Sequence, residues 1–150
     1  MLLKTKSFGE IEISEDKFIT FKEGIPGFEE VKQFIIIEEE KESPFCYLQS
    51  IGKEDVCFIL TNPYLFKQDY EPVIPTHYFE QLGGGEVDKF GVFVLVTVKG
   101  ALEGATLNLM APLLIQQETK CGMQVILEGQ NYTTKHGILE LLAERGEQTC

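Results

Sequence analysis

The chain has 150 residues, 43% of them hydrophobic, which suits one folded domain whose core needs no disulfide or metal staple. Its 24 acids outnumber 13 bases, for a formal charge of −11, and Arg145 is the one arginine, so gripping a nucleic-acid backbone is excluded as a main activity. An acidic surface of this kind either draws basic partners or serves only to keep a cytoplasmic protein soluble.

Taken in chain order, the elements read as strands. The N-terminus has no apolar run of signal length. Leu3 and Thr5 alternate, Phe8-Gly9-Glu10 turns, and Ile11 and Ile13 alternate again, which predicts a hairpin with Gly9 supplying a positive φ. Phe21 to Phe28 holds Gly24 and Gly27 around an Ile25-Pro26 bend, with Phe21 and Phe28 expected to fold back into the core. Phe34 to Ile37, Val56 to Leu60 and Val92 to Val98 are β-branched or aromatic runs. The last is apolar on both faces apart from Thr97, so it predicts a central strand; it is far too short to span a membrane. Glu39 to Pro44 reads as a solvated connection and Gly83-Gly84-Gly85 as a flexible one. Thr76 is placed to cap a short helix through Gln81-Leu82, after Pro75 and before Gly83. Lys120-Cys121-Gly122 predicts a second hairpin, between Leu113 to Ile115 and Gln124 to Leu127. Ile138, Leu139, Leu141 and Leu142 give an apolar face to a terminal helical turn or two. The fold class is mainly β: an antiparallel barrel-like or curled sheet with one or two short helices. One domain is expected over residues 1–150, with roughly the last ten a flexible or helical tail.

Catalytic chemistry leaves few traces. The four cysteines, Cys46, Cys57, Cys121 and Cys150, form no C-x-x-C pair and read as free thiols in a reducing cytoplasm, with Cys46 and Cys57 packing in apolar runs. His77 and His136 lie far apart and in no metal-binding spacing; a metal would have to assemble in space from His77, Cys46 and Cys57. Gly83-Gly84-Gly85 is followed by Glu86 and Asp88, which would repel a phosphate, and no nucleophile elbow is present. No catalytic, cofactor or metal site is therefore assigned. Asn131-Tyr132-Thr133 matches a glycosylation pattern that matters only in a secreted chain.

Several segments in register carry a resemblance. They are Phe21-Lys22-Glu23-Gly24-Ile25-Pro26-Gly27-Phe28; Tyr47-Leu48-Gln49-Ser50; and Phe58 through Phe66, then Asp69-Tyr70-Glu71 and Val73-Ile74-Pro75. Val96-Thr97-Val98 and Thr106-Leu107-Asn108-Leu109-Met110-Ala111-Pro112 follow, then Gly122-Met123-Gln124-Val125-Ile126-Leu127 and Tyr132-Thr133-Thr134-Lys135-His136. Together they resemble the FliW family of flagellar assembly factors over nearly the whole chain. Lys135 stands where the family usually shows arginine, which would turn a bidentate contact into a single point contact.

The resemblance implies a cytoplasmic, non-catalytic binder with two protein partners. One is flagellin, held before export. The other is the RNA-binding translational repressor CsrA, blocked from silencing flagellin mRNA, with the resemblance pointing to a mainly non-competitive effect. No direct nucleic-acid or membrane contact is implied, and a monomer is expected when free. Candidate partner-binding residues are Phe66, Asp69 and Tyr70, which combine aromatic anchors with a charge, and the strand residues Asn108 and Gln124. The alternatives are that Tyr64, Phe66 and Tyr70 fill the core beneath Asn62-Pro63, and that Asn108 and Gln124 satisfy a neighbouring strand. An amphipathic helix of flagellin would require an apolar groove, which one sequence does not place. The rival reading is a small-ligand or flavin-binding β-barrel.

Overall fold

The short apolar runs become strands because their residues favour extended backbone and each run stops at a turn former. A computed structural model describes residues 1–148, with side chains through Glu144. The chain opens with β1 (Leu2–Thr5) and β2 (Gly9–Glu12), the expected hairpin. Gly9 has φ +69°, and Thr5 Oγ1 accepts from Phe8 N at 2.9 Å while donating to Gly9 O at 2.8 Å. Then come β3 (Ile19–Thr20), β4 (Gln33–Ile37), β5 (Phe45–Ser50) and β6 (Cys57–Thr61). Helix α1 (Thr76–Gln81) leads to β7 (Phe90–Thr97), β8 (Thr106–Leu107), β9 (Leu113–Gln116) and β10 (Cys121–Gln124). Strand β11 (His136–Gly137) runs directly into α2 (Ile138–Gln148).

Strands β7, β6, β5, β4, β3, β10 and β9 pair in that order, and β9 returns to β7, closing a seven-stranded barrel. All of these pairings are antiparallel except β3 with β10. β8 and β11 extend from β7 as a short flap. The fold class is thus the barrel-like form of the expected β architecture.

The barrel wall is packed on both sides. Phe34, Leu48, Leu60, Leu113 and Ile115 point inward with Phe21 and Ile25. Val94, Val96 and Leu114 point outward into a second core with Leu107, Leu109, Val125, Leu127, Ile138 and Leu141. The hairpin adds a third, smaller layer of Leu3, Ile13 and Ile35. Successive strand residues therefore enter different cores, which is why Val92 to Val98 lacks a polar face, and β7 is central, bonded to β6, β8 and β9.

Five local expectations change. The turn of the second hairpin lies earlier, at residues 117–120, with Lys120 at φ +58°, while Cys121 and Gly122 belong to β10. Gly122 serves packing: a Cβ there would lie 2.7 Å from Cζ of Phe21. Pro75, not Thr76, precedes α1, with no side-chain cap. The glycine run is tied down, since Gln116 Nε2 donates to Gly84 O at 2.9 Å and Thr119 Oγ1 to Leu82 O at 2.7 Å. Phe21 is fully buried, but Phe28 stays 36% exposed, its ring edge-on to Phe58 at 5.1 Å. The terminal helix, expected as a turn or two, spans 11 residues. Cys150 lies outside the described residues.

Candidate protein-binding surface

After β6 the chain winds into a 3-10 turn, Pro63–Leu65, capped by Asn62, whose Oδ1 accepts from Tyr64 N at 3.0 Å. Bonds from Lys67 N to Pro63 O and from Tyr70 N to Lys67 O tighten the next turn. This winding leaves Tyr64 and Leu65 exposed and drives Phe66 and Tyr70 inward, 6% and 2% exposed. Phe66 stacks on Phe45. Tyr70 donates its hydroxyl to Leu109 O at 2.7 Å, and burial pushes its phenol well above the usual range.

Beyond Tyr70 a distant loop holds the chain. Glu71 N donates to Tyr132 Oη at 2.9 Å across 61 residues of sequence. Gln130 grips Val73 at two points, accepting from its N–H and donating to its carbonyl, both at 3.0 Å. The amide side chain does what a neighbouring strand would do. Tyr132 packs edge-on against Tyr70 at 4.8 Å, and His136 lies beyond it. His136 Nε2 accepts from Thr133 N at 2.9 Å, so that nitrogen carries no proton in this arrangement. Burial foremost, then the Lys67 ammonium, hold the imidazole below its ordinary 6.5, against the pull of Glu144 and Glu140.

The sequence candidates divide accordingly. Phe66 and Tyr70 are buried and support the surface from beneath. Asn108 Oδ1 accepts from Ala111 N at 3.1 Å, and Gln124 Nε2 donates to Ala111 O at 3.0 Å. These two therefore satisfy their own chain, and with Tyr70 they brace residues 108–112. Asp69 alone of the five is solvent-facing, its carboxylate 3.2 Å from Lys67 Nζ. Reasoning from sequence missed Gln130, which no pattern distinguishes, and the pairing of Glu71 with Tyr132, whose signal was the presence of both in the resembling segments.

The exposed groups form one continuous face. Beside residues 71–75 lies a concavity of about 400 Å³, lined by Lys67, Asp69, Glu71, Asn131 and Tyr132. A second, of about 420 Å³, shares Gln130 with the first and is lined by Val73, Tyr78, Ile126 and Glu128. Asp69 and Glu71 line the first concavity with Lys67, and Glu128 lines the second. Helix α2 packs on the turn Leu102–Gly104, Ile138 N donating to Ala105 O at 2.9 Å. Leu102, Leu139 and Leu142 of these two elements remain exposed.

The groups weighed for chemistry do not converge. Cys46 faces the barrel interior and Cys57 the outside, because they fall on opposite phases of β5 and β6. His77 is exposed on α1. Among the described residues no group of three His, Cys, Asp or Glu is placed to hold a metal ion, and no helix is long and apolar enough to cross a membrane.

Comparison with known proteins gives a concordant result. The profile of the family described as FliW protein matches residues 2–138. The flagellar assembly factor FliW of Alkaliphilus metalliredigens is 41% identical over 150 residues, covering 99% of this chain and 93% of that protein. That of Thermotoga neapolitana is 43% identical over 149 residues, covering 99% and 97%. A crystal structure of the flagellar assembly factor FliW superposes with a TM-score of 0.85 at 37% identity, covering 92% of this chain and 96% of that one. The chain belongs to the FliW family of flagellar assembly factors.

Proposed function

We propose that this protein works in the cytoplasm as a non-catalytic binder of two partners, flagellin and CsrA. Flagellin occupies it when abundant. When free of flagellin, it holds CsrA and lifts repression of flagellin mRNA. Competition between the partners makes the switch by mass action, with no reacting residue.

The observation that carries this reading is the face described above: the acids of Asp69, Glu71 and Glu128 beside exposed apolar side chains, on backbone fixed by the Tyr70, Gln130 and Tyr132 bonds. Carboxylates with few competing cations suit a basic protein such as CsrA and speed the encounter. The exposed leucines of α2 and Leu102 suit the apolar face of an amphipathic helix, the form expected of flagellin's ends. Asp69 is the candidate residue in position to touch a partner directly. The flavin-barrel reading is disfavoured because Phe21, Phe34, Leu48, Leu60 and Leu113 fill the barrel interior.

The test is size-exclusion chromatography of the protein with CsrA from the same organism, with and without its flagellin. Co-elution with CsrA that flagellin dissolves is the expected outcome. Separate elution in both mixtures at modest salt would refute the partner switch.

A further inference from the structure

Filling of the barrel stops short of one mouth. There a cavity of about 590 Å³ remains, within the range of about 300–1,000 Å³ usual for small-molecule sites. Its floor is apolar, from Ile19, Ile36, Phe93 and Ile115, with the Cys46 thiol at its side. Burial, with Glu38 nearby, pushes that thiol up to about 11, so it stays protonated and acts as one more apolar wall group. The rim carries Lys17, Lys120 and Gln117, with Glu38 as the one acid lining it.

Two cations on one apolar opening stand out in a chain with 24 acids and 13 bases. The three ion pairs among the described residues, Met1–Glu12, Lys53–Glu30 and Lys67–Asp69, involve neither Lys17 nor Lys120. Asp16 feels both lysines, and its carboxylate is held low mainly by a hydrogen bond with Ser14 and less by them. Lys120 has a second peculiarity. It is the one non-glycine residue at positive φ among the described residues, in a turn position that glycine or asparagine fills with less strain. Its carbonyl accepts from Thr20 N at 2.8 Å, which fixes the turn beside the segment that follows Lys17.

We propose that this mouth of the barrel binds a small amphipathic anion, an aliphatic carboxylate, with its chain on Ile19, Ile36, Phe93 and Ile115 and its head between Lys17 and Lys120. Glu38 keeps the head to the lysine side. The surface argued for protein partners plays no part in this inference, which stands or falls separately.

The test is calorimetric and NMR titration of the full chain with octanoate, decanoate and dodecanoate below their micelle concentrations, with decanol and decyltrimethylammonium as controls. Saturable one-to-one binding is expected, tightening roughly threefold to fourfold per added methylene, with shifts confined to the mouth residues. The double variant Lys17→Gln, Lys120→Asn should weaken decanoate at least tenfold while melting as the parent does, since asparagine tolerates the positive φ. A second variant, Ile36→Gln, should flatten the chain-length dependence and leave the lysines in place. Absence of saturable binding, equal binding of decyltrimethylammonium, or unchanged affinity in the lysine variant would each overturn the proposal. So would mouth shifts caused by flagellin or CsrA and not by decanoate, which would assign the mouth to a protein side chain.

Discussion

Tyr70 and Asp69 are adjacent in sequence yet should fail in opposite ways when changed. Tyr70→Phe keeps the ring in the core and removes one oxygen, leaving the buried Leu109 carbonyl without its 2.7 Å donor. Losing one partner of a buried pair costs about 1–2 kcal/mol. For a domain of this size that lowers Tm by about 2–8 °C. Because the ring is 2% exposed, affinity for a partner should stay within about twofold at a temperature where the variant is folded. Asp69→Lys removes a solvent-screened pair with Lys67, so stability should move by no more than about 0.5 kcal/mol. The reversed charge faces the proposed partner surface, and CsrA affinity should fall about tenfold, less at high salt. Thermal melts by circular dichroism and titration calorimetry on both variants make the comparison. If Tyr70→Phe melts like the parent but loses its partner, the hydroxyl is a contact and the division between support and surface is refuted.

Other perturbations test the fold and its loops. Gly24→Ala should destabilise more than Gly27→Ala: both have positive φ, costing about 1–2 kcal/mol, but only at Gly24 would the new Cβ meet backbone, 2.6 Å from Glu29 Cα, so equal melting shifts would refute the clash. Gln116→Ala removes the bond to Gly84 O and the acceptor of Glu118 N and Thr119 N. It should cost about 2–3 kcal/mol and speed hydrogen exchange at residues 83–85 and 117–120; unchanged exchange would mean the side chain does not tie the two loops. His136 is lowered in the fold, so the unfolded chain takes up its proton first as pH falls through 6.5. The stability difference between parent and His136→Gln should therefore be constant above that pH, shift against the parent as pH falls through it, and level off below the folded value. A flat difference across that window, read from denaturant melts, contradicts the neutral Nε2 acceptor.

Much of the fold was legible because strand signals are local. The first hairpin, the short helix after Pro75 and the central Val92 to Val98 strand follow from alternation, turn residues and β-branching. Closure of the barrel was not legible, since it depends on the β7–β9 and β3–β10 pairings between distant segments. The second hairpin was misplaced because Gly122 resembles a turn residue, while the real need was room for the Phe21 ring and Lys120 took the left-handed position. Phe28 mirrors Phe21 in the motif, yet only a three-dimensional count of space shows which ring the core admits.

The candidate surface was harder to read for a reason the double-sided wall supplies. When a strand's two faces both enter cores, apolar and aromatic residues lose their value as markers of an interface. Phe66 and Tyr70 have the composition of a hot spot and the position of core residues, and Asn108 and Gln124 spend their amides on Ala111. What a partner can touch is what the wall leaves outside: carboxylates, the rims of Tyr64 and Val73, and the leucines of α2. Their backbone is held by bonds that run between segments far apart in the chain, as from Glu71 to Tyr132. Substitutions of the buried residues in the resembling motifs should thus act mainly through stability, and substitutions at exposed Asp69, Glu71 and Glu128 mainly through binding.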